Sequence, residues 1–389
     1  MRALPYSSPE QMARSTRVLL FGMLALLGLG TVMVYSATAI GQLRTAGPDA
    51  LLRPLGSHAL KLLLALLGFL LALRVGPRSL FGAARWAWAG GVMLLVVVLL
   101  LGVERNGARR WFEIAGTSFQ PSEVARVATI VLLAAWMSGA RDRVSQVWTG
   151  VCVPFLLVAL PAGLVMLEPD FGSAVFLLFM GVFVMWIGGA RARHLLCAFL
   201  PAIAGAAILG WTHFSHFRTR LSTFMTPDAD YQVRQALSAL GSGGLLGQGL
   251  GNGTAKWGFL PESDDDFLFA VVGEELGLVG TAVVLALYAL ILWHGVRVLL
   301  GLRSRFSLVA GAGLLLQVVV QAVLNIAVVT AVAPNKGLPL PFVSAGGTSM
   351  VVLCISIGLL LGLARCPEED PVLEARWATS LTHRGEPGA

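Results

Sequence analysis

Charge is scarce in this sequence. Lys, Arg, Asp and Glu make up 13% of its 389 residues, about half the share of a soluble globular domain. That excludes an ordinary solvated surface over most of the chain. Cysteine is scarce as well, with four residues, no CxxC pair and no Cys/His neighbour at metal-ligand spacing. Neither a disulfide framework nor a zinc site is indicated. Cys152, Cys197 and Cys354 lie inside apolar runs and Cys366 just after the last one, so they read as small buried hydrophobes. A basic stripe interleaved with aromatics is also missing, so the net charge of +7 does not point to nucleic acid.

What is present is apolar sequence in long runs. The chain is 56% hydrophobic, with a mean hydropathy of +0.78. Its apolar stretches reach about 18 residues or more, the length a helix needs to cross the bilayer hydrocarbon. Runs fall near 18–39, 58–73, 84–103, 122–139, 146–167, 171–189, 195–212, 267–293, 306–333 and 342–364. The expectation is an all-α polytopic integral membrane protein with about ten transmembrane helices. Ala37-Thr-Ala39 resembles a signal-peptidase site, but the run before it exceeds a normal signal segment and further spans follow, so the first helix reads as retained.

Ten spans put both termini on one side. More than half of the 28 Lys and Arg residues then fall in the tails and in short turns of that side, among them Arg74, Arg78, Arg141, Arg143, Arg191, Arg193, Arg297 and Arg303. By the positive-inside rule that side is cytoplasmic. The expected organisation is a cytoplasmic N-tail (1–17), a transmembrane domain (18–364) and a cytoplasmic C-tail (365–389). Two outside segments, about 104–121 and 213–266, are long for connectors, and long loops tend to be functional or disordered. The second is the large extracytoplasmic loop between transmembrane helices 7 and 8. Its piece Gly241-Ser-Gly-Gly-Leu-Leu-Gly-Gln-Gly-Leu-Gly-Asn-Gly253 lacks charge and is expected to lie on or dip into the membrane interface. No internal repeat is visible, which weakens an inverted-repeat transporter.

Against this background a few polar residues stand out. Glu262, Asp264, Asp265 and Asp266 directly precede the eighth run, and acids that dense at a water–hydrocarbon boundary usually have a task. Glu123 and Arg126 stand at i and i+3, spaced for an ion pair on one helix face. Gln317, Gln321 and Asn325 recur every four residues, a stripe that either joins helices by hydrogen bonds or lines a cavity. Candidate cations on the outer side are Arg109, Arg110, Arg218, Arg220 and Lys336, the last in the stiff frame Pro334-Asn-Lys-Gly-Leu-Pro-Leu-Pro341. A cation fixed near an acid cluster suits a pyrophosphate-bearing substrate. Glu168 and Asp170 occupy another outside turn, where carboxylates could support a divalent cation.

These segments together resemble the SEDS family (shape, elongation, division and sporulation), the RodA and FtsW peptidoglycan glycosyltransferases. The resemblance rests on Tyr35-Ser-Ala37, Gly107-Ala-Arg-Arg-Trp111, Gln120-Pro-Ser-Glu123, Glu168-Pro-Asp-Phe-Gly172, Gly247-Gln-Gly-Leu-Gly-Asn252, Phe259-Leu-Pro-Glu262, Asp266-Phe-Leu-Phe269, Gly273-Glu-Glu-Leu-Gly277 and Lys336-Gly-Leu-Pro-Leu-Pro341, which occur in family order. The Gly-Leu-Gly-Asn and Asn335-Lys-Gly-Leu-Pro pieces look nearer the FtsW branch. The resemblance implies extracytoplasmic polymerisation of lipid II in the cytoplasmic (inner) membrane, during cell division or elongation. It also implies a class B penicillin-binding protein as transpeptidase partner, alongside other divisome or elongasome proteins. Three stretches depart from the family pattern. Asp264-Asp265 replaces His-Thr before the catalytic Asp, Ser344-Ala-Gly-Gly347 lacks the usual Tyr, and Gly258 stands where an acid is common.

On this reading Asp266 is the general base and undecaprenyl pyrophosphate the leaving group. Lys336, Arg110 and Arg109 are expected at the diphosphate, and Glu123, Arg126 and Ser344 complete the substrate-binding set. Asp265, Asp264, Glu262 and Asp170 are supporting acids, and the three adjacent aspartates leave the identity of the base open. Like charges and desolvation around Asp266 favour its protonated form, whereas a place capping the eighth helix would favour the ionised form. A divalent cation, Mg²⁺ or Mn²⁺, is a candidate helper, the metal itself being unidentified, and no organic cofactor is expected. Competing readings are a lipid II flippase and a non-catalytic divisome scaffold.

Overall fold

The structure is a computed structural model, and it describes residues 9–46, 52–105, 108–114, 117–213, 218, 230–334 and 337–366. Ten apolar helices appear where the apolar runs place them. They are α1 (Pro9–Ala46), α2 (Leu52–Ala72), α3 (Pro77–Leu101), α4 (Pro121–Ala140), α5 (Val153–Leu167), α6 (Phe171–Ile187), α7 (Ala192–His213) and, after a short α8 (Tyr231–Ser242), α9 (Leu268–Leu300), α10 (Arg305–Val329) and α11 (Gly347–Arg365). Among the described residues nine helices are long and apolar enough to cross a membrane, and α6, with 17 residues, is a shorter apolar helix. That length lies at the low end of what spans a bilayer. The segment expected as an N-tail is already helical from Pro9. The C-tail after Cys366 and the segment around Arg220 lie outside the described residues.

Packing divides the bundle into two lobes. Buried side chains of α1, α2, α9 and α11 form one core, with Leu19, Met23, Ala65, Phe69, Ile291 and Leu353 at its centre. Those of α4, α5, α6 and α7 form the other, with Leu133, Val158, Met180 and Val184. Side chains of α10 reach both. Small residues set the closest approaches, as expected where no hydrophobic force separates helix from lipid. A Cβ on Gly358 of α11 would come within 2.6 Å of the Phe69 carbonyl of α2, and one on Gly30 of α1 within 2.5 Å of the Val343 carbonyl. Glycine therefore lets the 337–346 segment press against α1.

Two departures from the expected loops matter for the site. The 104–121 segment is not an irregular connector but a three-stranded antiparallel sheet, β1 (Val103–Arg105), β2 (Ala108–Ile114) and β3 (Thr117–Phe119). The all-α expectation gains this small β element. The Gly-rich segment does not simply lie on an interface either, because its backbone docks onto α9. Gln248 N and Gly249 N donate to the Glu274 and Glu275 carbonyls, and Leu278 N and Val279 N donate to those of Gly244 and Leu245. These bonds meet α9 where Gly277 (φ 66°, ψ −162°) breaks it. The break frees backbone groups that a membrane cannot satisfy, and the glycine loop satisfies them.

Candidate functional site

The three aspartates sit in a turn just before α9, fastened by its backbone rather than by its carboxylates. Ala345 N donates to the Asp264 carbonyl at 3.0 Å. The Ser344 hydroxyl donates to the Asp265 carbonyl at 2.6 Å, and the Asn325 amide to the Asp266 carbonyl at 2.7 Å. The same Asn325 amide group donates to the Leu338 carbonyl at 2.8 Å, and the Ser344 oxygen accepts from Leu340 N at 2.9 Å. Ser344 and Asn325 thus clamp the acid turn to the 337–346 segment. Three consecutive carbonyls are taken up, so the turn is fixed through its backbone.

They point different ways. A Cβ on Gly346 would meet Asp265 Oδ1 at 3.0 Å, whereas a Cβ on Gly337 (φ +60°) would meet Asp266 Oδ2 at 3.2 Å. Asp265 therefore faces the start of α11, and Asp266 faces the residue next to Lys336. Asp265 Oδ1 is buried without a hydrogen-bond partner. Burial pushes the Asp265 carboxyl well above the usual carboxylate range, and the charges of Asp266, Asp264 and Glu262 add to the push. Lys61 of α2 pulls the other way. Asp266 does not cap α9, whose N-cap is Phe267 with no side-chain cap, so the helix-capping argument for its ionised form falls away. Glu262 is exposed at φ 54°, and its carbonyl accepts from both Asp265 N and Phe267 N.

A second polar group adjoins the first through the same segment. Asp170 caps α6, accepting from Ser173 N at 3.1 Å and the Ser173 hydroxyl at 2.8 Å. It also pairs with Arg110 at 3.3 Å and accepts from the Gln120 amide at 3.2 Å. Residues alternate faces along β2, so Arg109 turns away from this group and pairs with Glu104 at 3.2 Å, both side chains more than half exposed. Glu123 and Arg126 form the expected buried ion pair. Arg126 also donates to Gln321 Oε1 at 3.3 Å, and the Gln321 amide donates to the Pro339 carbonyl at 2.9 Å and the Ser349 hydroxyl at 3.0 Å. Gln321 and Asn325 thus join helices to the 337–346 segment, and Gln317 bonds Ser356 of α11 at 3.2 Å.

Lys336 lies outside the described residues. Arg110, Glu123, Arg126 and Asp170 come together, while Asp264, Asp265 and Asp266 gather against Ser344 and Ala345 of the 337–346 segment. Arg109 joins neither group. Three polar features are absent from the sequence-level set of site residues. Lys61 is one, since a lone Lys near the start of an apolar run looks like a headgroup anchor. Glu168 is another, read from the sequence only as a carboxylate that could support a divalent cation and here fully buried with both carboxylate oxygens unpartnered. Burial pushes it up to about 8, helped by Asp170 and opposed by Arg110. The third is a buried knot in which Lys256 and Ser36 both bond Glu275. Among the described residues no three His, Cys, Asp or Glu side chains are grouped to hold a metal ion.

An apolar cavity of about 530 Å³ opens between α3, α4 and α11, lined by Leu80, Gly91, Val127, Val131, Val352 and Leu359 among others. It contains no polar side chain and starts one residue from Glu123, at Val124.

Comparison with known proteins agrees with this architecture. Residues 17–368 match the family model for FtsW, RodA and SpoVE, described as a cell cycle protein. A probable peptidoglycan glycosyltransferase FtsW of Coxiella burnetii is 36% identical over 353 residues, covering 88% of this chain and 94% of the relative. That of Nitrosococcus halophilus is 39% identical over 364 residues, covering 88% and 90%. Among solved structures, the rod shape determining protein RodA of Thermus thermophilus superposes with a TM-score of 0.67 at 29% identity, covering 90% of this chain and 97% of that one. A chain from a peptidoglycan synthase complex that coordinates polymerization and crosslinking does so at 0.74 and 29%, covering 90% and 98%. With relatives above 30% identity along most of its length, the chain belongs to the FtsW, RodA and SpoVE (SEDS) family, on its FtsW branch.

Proposed function

We propose that this protein is a peptidoglycan glycosyltransferase that polymerises lipid II at the outer face of the cytoplasmic membrane during cell division, with Asp266 as general base. The observation that carries the reading is the acid turn clamped to the 337–346 segment, with Asp266 Oδ2 turned to Gly337 beside Lys336. A base needs a fixed position and an open side, and the Asn325 and Ser344 bonds supply the first. Asp265 is less suited, because its carboxylate faces inward against Gly346.

In the step itself, a sugar hydroxyl of lipid II gives its proton to Asp266 as its oxygen attacks the anomeric carbon of the growing chain. The bond from that carbon to the diphosphate breaks, the carbon inverts, and undecaprenyl pyrophosphate leaves with the electron pair. Lys336 and Arg110 offset the charge that develops on the diphosphate. Asp170 orients Arg110, and Gln120 holds Asp170 from the opposite direction. Glu123 and Arg126 stiffen the wall between the two polar groups through Gln321. A Mg²⁺ or Mn²⁺ ion, if used, would neutralise charge on the diphosphate. The cavity between α3, α4 and α11 suits one polyprenyl tail, being wholly apolar and next to Glu123.

Orientation follows from charge. Arg305 of α10 donates to the Gly188 carbonyl at the α6–α7 turn, so the Arg-rich turns gather at the end of the bundle remote from the acid turn. By the positive-inside rule that end and both termini face the cytoplasm. A class B penicillin-binding protein is the proposed transpeptidase partner, in line with the synthase complex that the fold matches.

The test is to give purified full-length protein, with and without that partner, lipid II in detergent and to score glycan chains. The wild type should polymerise, and Asp266→Asn should lose at least a hundredfold in rate, the size of a general-base contribution. Equal polymerisation by both would remove Asp266 as the base. If neither makes glycan while labelled lipid II crosses proteoliposomes, the activity is transport; glycan synthesis and transport both absent would leave a scaffold.

A further inference from the structure

The first turns of α1 run antiparallel to the last turns of α9, at the end of the bundle remote from the acid turn. A Cβ on Gly22 of α1 would come within 3.0 Å of Leu290 and 3.1 Å of Ile291 on α9, so the two helices touch just inside that end. Arg14, Arg17, Phe21 and Leu24 follow one another at helical spacing along the exposed stripe of α1. On α9 the exposed Trp293 and Arg297 stand one turn apart, the Arg297 guanidinium 5.1 Å from the Trp293 ring centre. Both stripes change from apolar to cationic at about the same level, between Phe21 and Arg17 and between Trp293 and Arg297. That is the pattern of helices leaving hydrocarbon for headgroups, with a Trp at the boundary.

The cations of the two helices meet at this seam. Arg297 of α9 and Arg14 of α1 both act electrostatically on the His294 ring, whose Nδ1 is buried without a hydrogen-bond partner. Among the described residues Glu10, one turn beyond Arg14, is the acid on this face of α1, which leaves an excess of positive charge. The helix dipoles do not remove it, because α1 begins here and α9 ends here, and the two ends oppose each other. Arginines drawn together by helix packing repel unless an anion offsets them.

We propose that this end of the α1–α9 seam binds the headgroup of an anionic phospholipid, with its phosphate between Arg14 and Arg297 and its acyl chains along Phe21, Leu24 and Trp293. The occupant is a membrane lipid rather than a soluble anion because the exposed surface adjoining the cations is apolar and belongs to the same two helices. Net negative charge is required, since a zwitterionic headgroup brings an ammonium of its own that the arginines repel. At the far end of the same helix pair the Ser36 hydroxyl of α1 donates to Glu275 of α9. A headgroup at the near end fastens the pair at both ends.

The experiment titrates purified full-length protein in a neutral detergent with phosphatidylglycerol or phosphatidylcholine, counting bound lipids by native mass spectrometry and following the thermal unfolding midpoint. Phosphatidylglycerol should bind more tightly than phosphatidylcholine and raise the midpoint. Arg14→Gln and Arg297→Gln should each weaken phosphatidylglycerol binding by about fivefold, and the double variant should lose most of the rise in midpoint. Arg14→Lys keeps the charge and should stay close to wild type. Arg191→Gln removes an exposed cation from the α6–α7 turn and should leave binding unchanged. If Arg191→Gln weakens binding as much as Arg14→Gln, the lipid senses only the general charge of that end, and the site is refuted. Equal binding of the two lipids would refute it as well. Inorganic phosphate that raises the midpoint as phosphatidylglycerol does, and is lost with Arg14→Gln, would replace the lipid by a soluble anion and overturn the inference.

Discussion

Lys256 and Glu275 form an ion pair at 2.5 Å, with side chains 1% and 0% exposed. The carboxylate also accepts from the Ser36 hydroxyl at 2.9 and 2.8 Å and from Gly251 N at 3.0 Å. One glutamate thereby ties α1, the glycine loop and the broken part of α9 together. Taking away one member of a buried pair strands a charge and costs about 3–5 kcal/mol, against about 1 kcal/mol for an ordinary hydrogen bond. Lys256→Met should therefore lower the thermal unfolding midpoint in detergent far more than Ser36→Ala. Equal losses from the two variants would mean that the pair contributes no more than its hydrogen bonds.

Gly277 makes the docking of the loop possible. At φ +66° its Cβ would meet Gly247 N at 2.3 Å and the Leu245 carbonyl at 2.6 Å, all backbone that cannot swing aside. Gly277→Ala should detach the 243–253 segment, exposing it to protease and lowering polymerisation without removing any side chain of the site. Gly163 in α5 has open space around it, and Gly163→Ala should behave as wild type. Cleavage at the same rate in both variants would count against the docking role.

How much of this is legible in the sequence follows from range of interaction. Helix positions are legible because a run of about 20 apolar residues is a local property that only a membrane helix satisfies. The Glu123–Arg126 pair is legible for the same reason, its partners being one turn apart. The break at Gly277 is not, since Gly273-Glu-Glu-Leu-Gly277 sits inside an unbroken apolar run and the loop that compensates it lies some 30 positions earlier. The sheet escapes notice because its outer strands are three residues long. Lys61 escapes because its partner, the Ala345 carbonyl, is more than 200 positions away. The three aspartates are visible as a cluster, but only packing on Gly337 and Gly346 tells Asp266 from Asp265.

Arg109 and Arg110 look equivalent in sequence and should differ sharply in effect. Arg110 reaches Asp170 beside the buried Glu168, whereas Arg109 meets Glu104 in solvent. Exposed pairs contribute little, about 0–1 kcal/mol. Arg110→Ala should lower the polymerisation rate by about tenfold or more, the scale of one lost charge-assisted contact. Arg109→Ala should stay within about twofold of wild type. A loss from Arg109→Ala matching that from Arg110→Ala would place both at the substrate and contradict the alternation of β2.

Glu168 makes stability depend on pH in a direction opposite to most acids. Its carboxyl is raised from 4.5 to about 8, first by burial and then by Asp170, with Arg110 opposing. A folded-state value above the unfolded one means that the folded protein holds the proton more tightly. Its contribution is complete below about pH 4.5 and is lost as pH rises through about 8. The charge formed above that pH has no hydrogen-bond partner and would draw Arg110 away from Asp170. Glu168→Gln keeps the shape without the ionisation, so its unfolding midpoint should exceed wild type at pH 9, and the gap should narrow as pH falls below 8 and close below about pH 4.5. Parallel stability curves for the two proteins across that range would show that Glu168 is not buried as its position between α5 and α6 implies.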